Sequence, residues 1–400
     1  MYPIRFIVSP SKYTHQGDGS GGLSVTKQMR NILEQPGYLS IKMGGQTLRQ
    51  LYNGRSTSFN PQKLTYFGLC CYLGDYDRVV KNLEMHLTSR VQRRHTNLGI
   101  SPSSSLARNV YKDLNHMAKL DLCRVLLESG SEPNQRNRYG EVPLLGCFQT
   151  NGIGAIDLME FGADIDIADA DGVRPREFQL KSGPEVTATV QRWLRKRSGD
   201  EKPMDTKACE FCKKPGGNGV QLRLCSKCQT ARYCSTTCQR SHWPTHKPLC
   251  QPFTARNTVT LIPYYPEDKN GFRQPMAKFS RDLWSIPTSE TPPSHRRFAH
   301  TPKNLSADSP KSIVIKVQVP FDAFSSRPNI RPDGDLLVYT KKRDFVCTIR
   351  RGDAPEEYDR ISQVVRTRGV GGAKAYFAAE LRGKTALIVK ISEVLAEQPF

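Results

Sequence analysis

Between residues 209 and 250 this 400-residue chain places eight potential metal ligands, seven cysteines and a histidine: Cys209, Cys212, Cys225, Cys228, Cys234, Cys238, His246 and Cys250. Written as a pattern they are C-x2-C-x12-C-x2-C-x5-C-x3-C-x7-H-x3-C. A structural zinc ion takes four thiolate or imidazole ligands in a tetrahedron, so eight donors make two closed shells. A closed shell has no open position for water or substrate, which points to scaffolding rather than metal catalysis. Disulfides are the competing reading. The opening residues MYPIRFIVSP lack a basic stretch and a small-residue cleavage site, and no run approaches 18 apolar residues. The expectation is therefore a reducing compartment, cytoplasm or nucleus, with no membrane segment, where paired C-x2-C knuckles hold metal. The remaining cysteines (Cys70, Cys71, Cys123, Cys147, Cys347) sit among apolar neighbours and are expected to be buried free thiols.

The rest of that segment carries a resemblance. Residues 229–250 read QTARYCSTTCQRSHWPTHKPLC, with a tyrosine before Cys234, a glutamine after Cys238, then Trp243, His246-Lys247 and Cys250. This resembles the MYND zinc finger. The resemblance implies interleaved ligands, with Cys209, Cys212, Cys234 and Cys238 on one zinc and Cys225, Cys228, His246 and Cys250 on the other. Metal binding would then supply folding free energy to a segment too short for a large apolar core. His242, four residues before His246, could share a metal on a helix, but the family pattern puts the ligand at His246. The gap after Cys212, with Gly216, Gly217 and Gly219, is expected to be a flexible loop. Fingers of this family bind short proline-rich peptides. By that analogy Gln239 and Trp243 contact the peptide, with Ser226 and residues Thr230 to Arg232 beside them. A preformed extended peptide loses little entropy on docking, and an indole offers it a flat apolar platform.

Upstream, Leu127-Glu128-Ser129-Gly130 matches Met159-Glu160-Phe161-Gly162 at an offset of 32, and Gly140 and Pro143 match Gly172 and Pro175. A period near 33, with a glycine-containing turn before paired short helices, resembles the ankyrin repeat. The resemblance reaches back to residues 64–83, where Cys70-Cys71 and Gly74 fall at helix-packing and turn positions, with Val91 to Ser105 as an inserted loop. It departs from the family at Tyr66, where proline is absent, and after Pro143-Leu144, where histidine is missing; the third turn, GVRPREF, is truncated. Three repeats over roughly 61–180 are expected, with a helical cap within 61–198, and such stacks offer a concave face for proteins.

The chain thus reads as multidomain: an all-α ankyrin-like repeat stack, a small two-zinc MYND-type finger and a C-terminal α+β domain. Residues 1–60 read as a partly ordered extension, with helical spacing at Val25 to Leu33 and Leu48 to Tyr52. The finger occupies 203–252, and the proline-rich stretch 253–310 reads as a linker. In 311–400, strands are expected at Ser312 to Val319, Leu336 to Tyr339, Phe345 to Ile349 and Thr385 to Ile391, with a helix at Glu356 to Arg366. Ser392 to Glu397 reads as a short helix or tail, and the GVGG at Gly369 to Gly372 as a plain turn, since it lacks the lysine of a phosphate loop.

The net charge of +21 is spread over the tail, the finger and the C-terminal region, because 61–200 is nearly neutral with 19 basic against 17 acidic residues. Its densest run, Arg192 to Arg197, suits a nuclear localisation signal, a nucleic-acid contact or, more simply, a solvated helix end. Weak nucleic-acid contact fits such charge, but the finger lacks the ββα arrangement of base readers. MYND fingers also occur inside SET-domain lysine methyltransferases, yet no Asn-His-Ser-Cys-like motif or catalytic tyrosine segment follows Cys250. The reading that remains is a non-enzymatic, zinc-dependent protein-interaction adaptor, with two structural Zn2+ ions and protein partners bearing proline-rich motifs.

Overall fold

The computed structural model describes residues 26–55, 66, 70, 75–87, 116–152, 154–217, 219–266, 299–302, 305, 310–322 and 329–398. These fall into two compact units, one up to Phe178 and one from Gln179 onward. No helix among the described residues is long and apolar enough to cross a membrane.

The first unit is helical: α1 (Lys27–Leu33), α2 (Gly45–Arg55), α3 (Tyr76–Leu87), α4 (His116–Glu128), α5 (Pro143–Thr150) and α6 (Ala155–Glu160). The 32-residue match in sequence is also a match in backbone geometry. Ser131 N–H bonds Leu126 O and Ala163 N–H bonds Leu158 O, each just after a glycine in the left-handed region, Gly130 (φ 91°) and Gly162 (φ 97°). The following turns agree as well. Asn137 Oδ1 accepts from the N–H groups of Tyr139 and Glu141, and Asp169 Oδ1 accepts from those of Asp171 and Val173. Side-chain bonds of this kind are why Asn and Asp serve at turns. Of the repeat expected at 64–83, only Tyr66, Cys70 and Asp75 onward are described; Cys71, Gly74 and the Val91 to Ser105 insertion lie outside the described residues.

Part of the expected extension belongs to this unit. Met29, Leu39 and Leu48 bury together with Tyr139 partly packed on them. Leu39 N–H bonds Arg138 O, Ile41 N–H bonds Asp171 Oδ1, and Arg138 donates to the carbonyls of Leu33 and Gln35. The two turns of the repeat therefore also fasten the N-terminal helices. Residues 1–25 lie outside the description.

The second unit begins with α7 (Pro184–Ser198), the helix expected to cap the repeats. Its packing explains the different boundary. Arg195 lies buried and pairs with Asp205 (2.8 Å) and Glu397. The basic run Arg192 to Arg197 is thus not a uniformly solvated face, because its second arginine, Arg195, is consumed by two carboxylates.

After the finger the chain forms a six-stranded antiparallel sheet in the order β3-β10-β9-β4-β7-β8, made of β3 (Thr258–Leu261), β4 (Lys311–Gln318), β7 (Leu336–Thr340), β8 (Val346–Ile349), β9 (Lys374–Arg382) and β10 (Ala386–Lys390). A two-stranded ribbon, β5 (Phe321–Asp322) with β6 (Asn329–Ile330), hangs between β4 and β7. The sheet curls until its edges approach. Three residues past β3, Tyr264 exchanges both backbone bonds with Thr348 of β8 (2.9 and 3.0 Å), and His300 does the same with Val346. Both bonded residues lie on the β8 edge, so that edge is not left as a template for foreign strands. The concave side holds the core: Ile315, Val317, Val338, Cys347, Phe377 and Val389 with Tyr358, Ile361 and Val365 of α9 (Pro355–Arg368).

Two strands of this sheet depart from expectation. Thr258–Leu261, inside the segment expected to be a linker, supplies the β3 edge and buries Val259 and Leu261. Lys374–Arg382, given no element from sequence, pairs with both β4 and β10 and lies at the heart of the sheet. The other strands and the helix fall where expected within a residue or two. Ser392 to Glu397 is extended rather than helical, with Leu395 bridged to Tyr376. Gly369 to Gly372 is a turn, with Gly371 and Gly372 left-handed and Leu180 so close that a β-carbon at Gly371 would stand 2.9 Å from it. Cys70, Cys147 and Cys347 are buried free thiols, as expected, and Cys123 is half-buried.

Candidate metal centre

The eight donors sit on two knuckles and one helix. Each knuckle is a C-x2-C turn closed by the same backbone bond: Lys213 N–H to Cys209 O (2.9 Å) and Gln229 N–H to Cys225 O (2.8 Å). The donor residue of each is left-handed, Lys213 at φ 57° and Gln229 at φ 55°. Such backbone is uncommon outside glycine, and its recurrence just after the second cysteine marks two copies of one ligand-presenting turn. A two-residue hairpin, β1 (Arg223–Leu224) with β2 (Arg232–Tyr233), leads into α8 (Thr236–His246). Ser235 caps that helix by accepting from Cys238 N–H at 3.1 Å.

The helix explains the interleaving. Cys234 and Cys238 stand one turn apart at its start, so both can face one ion. His246 lies eight residues past Cys238, an axial rise of about 12 Å, so it must serve another. The geometry agrees. Cys209, Cys212, Cys234 and Cys238 bring their sulfurs within 4.8 Å of one another, and the three sulfurs of Cys225, Cys228 and Cys250 with a ring nitrogen of His246 do likewise. Cys234 Sγ lies 3.5 Å from both Cys212 Sγ and Cys238 Sγ, and Cys228 Sγ lies 3.6 Å from His246 Nε2. A tetrahedron with zinc–sulfur bonds of about 2.3 Å has an edge of about 3.8 Å, so the donor sets fit one zinc each.

Charge supports the fit. Burial works against ionising Cys209, yet backbone N–H groups of Cys212, Cys234 and Phe211 outweigh it and hold that thiol down to about 6. Once one thiol of a crowded set ionises, its neighbours resist. Cys238 and Cys212 push Cys234 up to about 12, and burial with Cys228 pushes Cys250 up to about 12. A divalent cation displaces those retained protons and lets all the sulfurs act as thiolates.

Residues 209–250 match the family model described as MYND finger. This segment is a MYND finger. It is a zinc-binding protein-interaction domain, and its two Cys/His clusters could each bind a zinc ion. His242 belongs to neither cluster; its Nδ1 lies 3.0 Å from the hydroxyl of Tyr233. Tyr233, at 2% exposure, is the largest buried side chain of the finger, and Ala231 and the knuckle cysteines pack around it. The loop expected to be flexible is instead pinned. Gly216 N–H bonds Lys207 O (2.7 Å), Gly217 and Val220 exchange backbone bonds, and a β-carbon at Gly216 would stand 2.8 Å from Leu222.

The residues expected to touch peptide do not share one environment. Ser226 is exposed, and Gln239 and Trp243 are half-buried, with the Lys227 ammonium 5.4 Å above the indole ring. Thr230 is buried by the chain itself. Its hydroxyl reaches Cys228 O (3.0 Å) and Glu393 Oε2 (2.9 Å). Lys390, only 1% exposed, bonds the same Glu393 oxygen at 2.6 Å and lies 3.5 Å from Cys228 O. Gln229 donates to Glu380 Oε1 at 2.7 Å. Sequence reasoning missed this joint because Glu380, Lys390 and Glu393 read as ordinary charges on the C-terminal domain. The second knuckle is docked on β9 and β10, and Thr230 belongs to this joint, its hydroxyl already engaged within the chain.

Proposed function

We propose that the chain is a non-enzymatic, zinc-dependent adaptor whose finger docks proline-rich peptides of other proteins. The observation carrying this is the pair of complete four-donor shells in a segment matching the MYND model: with every donor spent on closing a shell, no position is left for a reacting molecule. The peptide surface on this reading comprises Trp243, Gln239 and Ser226, without Thr230. Trp243 supplies the platform and Lys227 above it fixes the ring. The helical unit, read as ankyrin-like repeats, recruits a second protein. Its support is the repeated turn geometry at 137–141 and 169–173. Two such surfaces on one chain raise the effective concentration of one partner near the other. The proposed location is cytoplasm or nucleus.

The test is affinity capture with the full chain beside a Trp243→Ala variant that still carries two zincs. A set of proteins sharing a proline-rich motif is expected to be retained by the first and lost by the second, with affinity for a synthetic proline-rich peptide falling at least tenfold. Identical captured sets would demote the finger to a spacer.

A further inference from the structure

The convex face of the curled sheet carries a cationic cavity remote in sequence from the zinc ligands. Register sets Lys316 of β4 opposite Tyr339 of β7 and Tyr376 of β9, and sets Lys374 of β9 opposite Gln318. Lys316 and Lys374 are each only 4% exposed. Both line a cavity of about 160 Å³, together with Arg343 and Lys341 from the β7–β8 turn. Another wall is Ser182 and Pro184, at the N-terminus of α7, where the cap residue Gly183 offers no side-chain acceptor. None of the residues lining the cavity is acidic.

Three independent features converge here. The Lys374 ammonium makes no hydrogen bond or ion pair among the described residues, although a buried charge normally demands a partner. Arg343 occupies the left-handed region at φ 51°, a conformation usually left to glycine or asparagine, and so brings its guanidinium 4.4 Å from the centre of the Tyr339 ring. Lys316 lies 5.0 Å from the same centre. The positive end of α7 adds to these charges at the third wall. Asp344, beside Arg343 in the same turn, accepts from Thr340 and pairs with Lys311, and Asp322 lies in the field of Lys181.

We infer that this cavity binds a phosphate group, either as inorganic phosphate or as the monoester of a small molecule. A doubly charged tetrahedral oxyanion matches several converging cations, a guanidinium fork and a helix N-terminus better than a single carboxylate does. The volume is well below the roughly 300–1,000 Å³ of pockets for larger ligands, which limits the ligand to a phosphate with a small organic group. Burial, and then the neighbouring cation, hold the ligand-free lysines near neutrality. Burial and Arg343 press Lys316 down to about 7, and burial and Lys316 press Lys374 down to about 7. Tyr339 and Tyr376 are the other titratable groups facing them. Binding an anion at pH 8 therefore draws protons onto the lysines.

The experiment uses the zinc-loaded full chain, titrated calorimetrically with inorganic phosphate and with glycerol phosphate at constant ionic strength in chloride. Saturable binding is expected, with proton uptake at pH 8 read from the dependence of the heat on buffer ionisation. Lys374→Met is expected to weaken binding at least tenfold and to diminish the uptake, while Lys384→Met, on the exposed β9–β10 turn, changes affinity less than twofold. Tighter binding of the ester assigns the natural ligand to a phosphorylated small molecule; equal binding assigns it to inorganic phosphate. No saturable binding of either compound, or equal affinity in Lys374→Met, overturns the inference. If that variant does not fold with two zincs, Arg343→Asn, which keeps a residue tolerant of the left-handed turn, carries the same comparison.

Discussion

A Cys234→Ser chain is expected to lose the finger as a folded unit. Structural zinc contributes roughly 10–16 kcal/mol of apparent binding free energy in finger peptides at neutral pH, and that energy is also folding energy. Serine leaves Cys209, Cys212 and Cys238 as a three-donor shell. The damage does not stop there, because α8 presents Cys238 to one ion and His246 to the other. Loss of the first shell frays the start of the helix that the second shell needs at its end. Native mass spectrometry should find fewer than two zincs per chain, and hydrogen exchange should show Tyr233 and its hairpin exposed. Two zincs retained in the variant would refute the assignment of Cys234.

The second large effect is expected at Glu393. Its carboxylate holds the buried Lys390 ammonium and the Thr230 hydroxyl, so Glu393→Ala strands a cation under the second knuckle. Removing one member of a buried pair costs about 3–5 kcal/mol, and the 26% exposure of the Glu393 side chain reduces this to about 2–3 kcal/mol. Adding Lys390→Met should recover much of the loss, because an apolar replacement of the pair has no charge to leave unsatisfied. Chemical denaturation of the single and double variants reads both numbers. A loss below about 0.5 kcal/mol in the single variant would mean that the knuckle is not held by this joint.

The metal site was legible because ligand chemistry is local. The residue types, their spacing and the resemblance identify the donors, and a helix of 3.6 residues per turn forces Cys238 and His246 apart. The strands β4, β7, β8 and β10 were legible from their short apolar and β-branched runs, and in β4 Ile313, Ile315 and Val317 recur with a period of two on the face that meets the core. Lys374–Arg382 was not, because nearly all of it is buried on both faces, which erases the period of two, and three alanines weaken its strand propensity. Thr258–Leu261 was masked by the prolines around it. A four-residue strand at a sheet edge needs no long apolar run, and its partner β10 lies far along the chain. The joint between knuckle and sheet had no sequence signal, since Thr230, Lys390 and Glu393 are meaningful only once brought together. The same holds for Lys316 and Lys374, which carry no signal until the register sets them on one covered face.

The docking of the second knuckle also fixes a schedule for a chain leaving the ribosome. Cys250, the last zinc ligand, is made well before Lys390 and Glu393, the residues that clamp the second knuckle. At about 5–20 residues per second, the intervening stretch takes on the order of ten seconds or more to appear. During that interval the finger has to capture its metal and hold its shape unaided, with Gln229 and Thr230 still facing water. The β3 strand behind it waits equally long for β10. Zinc supply during synthesis, rather than completion of the sheet, therefore governs whether the second unit starts from a formed finger.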